Sequence, residues 1–134
     1  LHFHTDQRAE KWRELQADPR LSIHFYLPEP KLQFRFRGQA ILEHQSSMTE
    51  TKWQSMSRSS RACYRVIKGP GTPIDNPVQD LVPAQSSDHG YENLAIVKLH
   101  IESLDWLYLS SLGHLRAQFQ WCTDGTLNSH WVGP

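Results

Sequence analysis

Cationic side chains recur in this sequence at spacings that suit an oxyanion. Arg8 and Lys11 stand three residues apart at the start of a segment with helical patterning, which puts them on neighbouring parts of one face. Arg8 precedes Trp12 by four residues and Lys11 precedes Leu15 by four, so both border the apolar side. Cations at a helix N-terminus oppose the helix dipole at a cost of ~0.3–1 kcal/mol each, and a bound anion reverses that sign. Free backbone N–H groups, the dipole and two cations together describe a phosphate site. A solvated helix end, with Glu10 and Glu14 partnering the basic side chains, fits the same spacing.

Three further clusters carry polar or cationic groups. In Gln33-Phe34-Arg35-Phe36-Arg37 a period of two puts Gln33, Arg35 and Arg37 on one strand face. Such a stripe can line a ligand site, and the Gln33 amide can both donate to and accept from a heterocycle edge. A solvent-facing stripe on an antiparallel strand gives the same pattern. Arg58 and Arg61, one helical turn apart among serines, suit an anion or a polar cofactor edge, or the exposed end of an amphipathic helix. His114 and Arg116 share a strand face. Paired with Trp106 across a hairpin they would form an aromatic and cationic wall, or ordinary cross-strand pairs on a sheet surface.

Other chemistries lack their motifs. Eight histidines are present, but there is no HExxH and no Cys/His cluster, so no metal site is expected. Gly69-Pro70-Gly71 is not followed by the Gly-Lys-Ser/Thr of a phosphate-binding loop, and neither GxGxxG nor GxSxG occurs. Cys63 and Cys122 have no CxxC spacing and read as reduced thiols of a cytoplasmic protein. The formal net charge is zero, which argues against a dedicated nucleic-acid binder. No apolar run approaches membrane-spanning length, and the opening Leu1-His2-Phe3-His4 does not read as a signal peptide.

These residues need elements to hold them. Alternation predicts strand character for Leu1–His4, Arg20–Leu27, and Leu32 through Leu42, with Gly38 marking a bulge or a close approach. Thr5-Asp6 predicts an N-cap for a helix from about Gln7 to Ala17, stopped by Asp18-Pro19. Ser47-Met48-Thr49-Glu50 reads as a capping box opening a helix from Met48 to about Cys63. Lys68 to Gly90 reads as a long irregular segment with prolines at 70, 73, 77 and 83, a length more often functional than inert. Leu94–Ile101, Leu104–Leu109 and His114–Cys122 are the last expected strands, with Ser111-Leu112-Gly113 turning between the final two. The pattern is mainly β with flanking helices, in one domain of 134 residues.

In order and spacing, these clusters resemble the FMN-binding split β-barrel of the pyridoxamine 5′-phosphate oxidase superfamily, and within it the cyanobacterial-type branch. The matching features are Phe3-His4-Thr5-Asp6 with Arg8 and Lys11, Gln33-Phe34-Arg35 with Gly38, Trp53 with Ser57-Arg58, Leu104-Asp105-Trp106, His114-Leu115-Arg116, and Trp131 near Pro134. The resemblance implies an FMN cofactor. Thr5, Arg8 and Lys11 would hold its phosphate and His4 would stand beside the flavin. Gln33 and Arg35, then Ser57 and Arg58, then Trp106 would complete the cofactor contacts. His114 and Arg116 would act in catalysis by positioning an anionic substrate. His114-Leu115-Arg116 reverses the family's Arg-Leu-His, and Gln118 replaces a flavin-contacting Arg. The family's Arg-x-Val phosphate motif has no counterpart, so the first strands of the domain are expected to be missing from residues 1–134.

The function implied is that of an FMN-dependent oxidoreductase of the pyridoxamine 5′-phosphate oxidase type, acting on a small amine or alcohol, phosphorylated substrates included. The resemblance further implies a homodimer with FMN at the interface. Two alternatives are a flavin-binding module without turnover and a non-flavin dimeric interaction domain.

Overall fold

The computed structural model describes residues 1–81, 83 and 89–134. Six strands form one sheet: β1 His2–Asp6, β2 Arg20–Leu27, β3 Leu32–His44, β4 Leu94–Tyr108, β5 Leu115–Trp121 and β6 Leu127–Val132. The hydrogen-bonded order is β2-β3-β4-β5-β6, and β1 pairs with β4. The helices are α1 Glu10–Ala17, α2 Ser47–Ser55, α3 Arg58–Ala62 and α4 Pro77–Asp80, with 3₁₀ turns at Cys63–Arg65 and Tyr91–Asn93. No helix of the described residues is long and apolar enough to cross a membrane. The expected irregular segment contains α4 and a bridge between Val66 and Pro83; its residues 82 and 84–88 lie outside the described ones.

The chain forms two compact units, one of residues 2–19 and 41–98, the other of residues 1, 20–40 and 99–134. The first holds a dense core. Leu94, Ala95, Ile96 and Val97 are all buried, together with Ala9, Trp12 and Leu15. An unbroken apolar run is what a strand covered on both faces requires. His2 to Asp6 pair antiparallel with Lys98 to Leu94 along it. In the second unit β2 and β3 pair in register from Arg20↔Gln39 to Leu27↔Leu32, matching the expected strand limits for β2. Phe25, Leu27 and Trp131 remain well exposed there.

Four local expectations are corrected. Thr5 and Asp6 belong to β1 and do not cap α1, which begins at Glu10 behind an Ala9 with no side-chain cap. The Asp6 carboxylate is instead taken by Arg8. The capping box sits one residue earlier: Ser46 Oγ accepts from the Thr49 N–H and the Thr49 hydroxyl accepts from the Ser46 N–H. The long second helix is broken at Met56, because Ser57 caps a new helix with its own hydroxyl and so competes with helix continuation. The two strands expected between Leu94 and Leu109 are one strand, β4, and β6 was not expected at all.

Candidate functional site

In the first unit, β1 alternates its side chains to either side. Phe3 and Thr5 share one face, and the Lys11 ammonium lies 5.9 Å from the centre of the Phe3 ring. Thr5 is buried at this place and Lys11 is exposed. Arg8 is used differently. Its Nε and Nη2 donate to the two oxygens of Asp6 at 2.9 and 2.7 Å, and its Nη1 donates to the carbonyls of Val66 and Ile67 at 2.9 and 3.2 Å. Hydrogen bonding to Asp6 raises the Arg8 pKa further. Arg8 thus ties the strand end to a distant loop, and its cationic fork is already filled.

His2 and His4 occupy the opposite face of β1, their ring centres 5.8 Å apart. They line a cleft of about 420 Å³ with Ser47, Thr51, Lys52 and Ser55 of α2. His4 Nε2 is buried without a hydrogen-bond partner among the described residues. Burial first, then the charges of Lys52 and His2, lower the His4 pKa, which favours the neutral ring. A buried ring nitrogen with nothing to bond is costly, and a polar ligand atom in the cleft would relieve it.

The serine-rich helix start holds itself together. Ser57 Oγ is within 2.9 Å of the hydroxyls of Ser59 and Ser60. Arg61 donates to the carbonyls of Trp53 and Gln54, both at 2.9 Å, and stacks over Trp53 at 5.3 Å. It therefore caps the C-terminal carbonyls of α2. Arg58, also exposed, lies at the start of α3.

In the second unit, β4 and β5 pair from Ser103↔Gln120 to Tyr108↔Leu115. Trp106 faces Ala117, and Arg116 faces Leu107, so Trp106 and Arg116 point to opposite sides of the sheet. The expected wall of Trp106 with His114 and Arg116 does not form. Trp106 stacks near Tyr108 and meets Trp131 edge-on at 6.1 Å. His114 precedes β5 and its Nδ1 accepts the Ser110 N–H at 3.1 Å, closing the turn. Arg116 donates to both oxygens of Asp105, at 2.9 and 2.6 Å. Gln33 faces Tyr26 across β2, and Arg35 faces His24.

Residues 1–44, covering β1 through β3, match the family model for the pyridoxamine 5'-phosphate oxidase, FMN-binding domain. No curated protein matches the chain. A pyridoxamine 5'-phosphate oxidase-related, FMN-binding protein from Nostoc punctiforme PCC 73102 superposes with a TM-score of 0.84 at 22% identity, over 100% of this chain and 73% of its own. PhzG from Burkholderia lata 383, solved in complex with tetrahydrophenazine-1-carboxylic acid, superposes with a TM-score of 0.78 at 18% identity, over 99% and 68%.

The fold is the FMN-binding split barrel.

Within this split barrel, sequence reasoning missed His2 and Lys52 beside His4, and it missed His130. The last lay on the strand that was not foreseen, although Asp124-Gly125 is a strong hairpin signal. Asp124 does close that turn, accepting from the Thr126 N–H at 2.9 Å, and Gly125 takes φ 85°.

The Asp105–Arg116 pair sets a pH dependence. Hydrogen bonding to Arg116 is the main cause that holds the Asp105 pKa below its usual value. Its folded pKa lies under the unfolded one, about 3.9, so its contribution is complete above that value and is lost as pH falls through the folded pKa. Asp105→Asn should therefore lower the melting temperature by a few degrees at pH 7, and the gap to the parent protein should shrink below about pH 4. A gap constant from pH 7 to pH 3 in thermal melts would contradict this.

Proposed function

We propose that this split barrel binds FMN and uses it for oxidoreductase chemistry on a small anionic molecule. The observation that carries the reading is the match of residues 1–44 to an FMN-binding family model, within a chain whose full length shares the fold of an FMN-binding protein. Two features of the first unit fit the cofactor. Lys11 stands exposed on the Thr5 face of β1, where it can meet a phosphate. The unbonded His4 Nε2, in a cleft also lined by serine and threonine hydroxyls and by Lys52, can bond a flavin or ribityl polar atom. Arg8 does not fit, because its guanidinium is occupied by Asp6 and two carbonyls.

FMN would supply hydride-accepting chemistry. The protein's own part is binding and orientation. Lys11 neutralises phosphate charge, Thr5 lies beside it on β1, and His4 remains neutral so that it can donate or accept at one nitrogen. Gln33, Arg35, Ser57, Arg58 and Trp106 are retained as cofactor contacts on the strength of the resemblance. His114 is retained likewise on the substrate side, and Arg116, held by Asp105, serves there as a positioning residue. The PhzG structure holds a carboxylic acid, which supports extending the substrate class from phosphorylated to carboxylated molecules. The homodimer is retained on the strength of the resemblance, and the exposed Phe25, Leu27 and Trp131 are available to such an interface.

The protein as purified, or after adding FMN and removing the excess, should show a flavin absorption band with near-stoichiometric loading. A colourless protein that leaves added FMN unbound in a fluorescence titration would overturn the reading.

A further inference from the structure

Asp124-Gly125 is the one place in the sequence where an aspartate precedes a glycine, and it lies at the exposed tip of the hairpin joining β5 to β6. Such a pair can react with itself. The Gly125 backbone nitrogen attacks the carboxyl carbon of the protonated Asp124 side chain. An N–C bond forms, the C–OH bond breaks, and that hydroxyl leaves with the amide hydrogen as water. A second water then opens the cyclic succinimide at either carbonyl. One opening restores aspartate; the other gives isoaspartate, in which the main chain runs through the side-chain carboxyl. No oxidant, reductant or co-reactant other than water takes part. We propose that Asp124-Gly125 is a self-modification site that yields isoaspartate, and that Thr126 is the residue that holds it in check.

Both reacting groups are accessible, and both are restrained. Asp124, Gly125 and Thr126 are exposed, and glycine has no side chain to shield its nitrogen. Asp124 Oδ1 accepts from the Thr126 hydroxyl at 2.7 Å and from the Thr126 N–H at 2.9 Å, charge-assisted bonds that favour the ionised carboxylate. The hydroxyl first, then the N–H, hold this carboxyl below its usual range, and a carboxylate has no hydroxyl to release. The Gly125 N–H is meanwhile engaged by the Cys122 carbonyl at 3.0 Å. Attack therefore requires the carboxyl to leave Thr126 and turn back onto the Gly125 nitrogen. The product matters to the sheet. Among the described residues β6 has β5 as its one sheet neighbour, paired from Trp121↔Leu127 to Arg116↔Val132. Isoaspartate adds one atom to the backbone of the turn that sets this register, so the modification loosens β6. Asp124, Gly125 and Thr126 stand outside the proposed flavin and substrate contacts.

The test follows the full chain at neutral pH, folded and, in parallel, in denaturant. Peptides carrying residue 124 are resolved by fragmentation mass spectrometry that distinguishes isoaspartate from aspartate. Isoaspartate at position 124 should accumulate slowly in the folded parent. Folded Thr126→Val, which keeps the shape and loses the hydroxyl bond, should form it about tenfold faster, the weight of one hydrogen bond to a charged group. Thr126→Ser, which keeps the hydroxyl, should stay near the parent rate. In denaturant, where Thr126 holds nothing, parent and Thr126→Val should share one faster rate. Asp124→Glu, whose longer side chain closes the ring poorly, should give no product there. Thermal melts on each variant place the assay temperature below unfolding, so a faster rate reports the lost hydrogen bond and not a lost fold. Equal rates in the folded parent and folded Thr126→Val would overturn the role of Thr126, and no isoaspartate at position 124 in denaturant would overturn the site itself.

Discussion

Replacing Lys11 by Ala should weaken FMN binding by about 10- to 100-fold, with the melting temperature of the FMN-free protein almost unchanged. The size follows from losing one charge-assisted bond to phosphate, about 1.5–3 kcal/mol. The small stability effect follows from the environment: Lys11 is exposed and contacts the Phe3 ring through its ammonium. Arg8→Ala should behave in the opposite way. It strips the guanidinium from an Asp6 side chain that is only 6% exposed, leaving that carboxylate, among the described residues, the Arg8 N–H at 2.8 Å as its donor. It also frees the carbonyls of Val66 and Ile67. Breaking a buried pair from one side costs about 2–4 kcal/mol here, or about 10 °C in melting temperature. Below that melting point FMN affinity should be nearly that of the parent. Fluorescence titration with FMN and thermal melts on both variants decide the matter. If Arg8→Ala lost affinity with its melting temperature intact, the phosphate would have been assigned to the wrong cation.

Gly38→Ala is the second large effect, and it acts on the fold. A Cβ at position 38 would run into the carbonyl oxygen of His100 and stand 2.9 Å from its carbon and 3.0 Å from the Glu102 nitrogen. All three are backbone atoms of β4, so no rotamer change makes room. Strands β3 and β4 would have to separate locally or shift register. A loss of at least ~3 kcal/mol is expected, near the upper end for inserting a methyl group into a packed site, which is about 10 °C or more in melting temperature. Thermal melts followed by circular dichroism test it, with Gly71→Ala as a comparison. Gly71 has open space around its Cβ position but a φ of 80°, so its loss is confined to backbone strain of ~1–2 kcal/mol. Equal stability of Gly38→Ala and the parent would mean that the two strands do not approach as described.

The sequence was most informative where a local rule sufficed. The alternation in Arg20–Leu27 is also the observed extent of β2, and Asp18-Pro19 ends α1 as expected, because a residue before proline is pushed out of helical geometry. The pattern at Gly38 narrowed the possibilities to two, and the close approach of β4 chose between them. By contrast, the break between α2 and α3 and the fusion of two expected strands into β4 depend on competition. Ser57 prefers to cap, and β4 is held along its length by different partners, β1 near its start and β5 near its end.

The resemblance to the FMN-binding split barrel was likewise legible in the order of short motifs, and the match of residues 1–44 and the shared fold bear it out. What the sequence by itself determined was the set of chemically able residues and the strand faces they occupy, since a period of two is a property of the backbone alone. What only the tertiary structure decided was which of them remain able to act. Arg8 and Arg116 each found a carboxylate that sequence spacing could not reveal: Asp6 two residues away through a turn, and Asp105 across a hairpin whose register sets Asp105 against Gln118 and within reach of Arg116. A cation so paired has little field left to offer a ligand. Lys11, exposed beside the Phe3 ring, keeps its charge available for one.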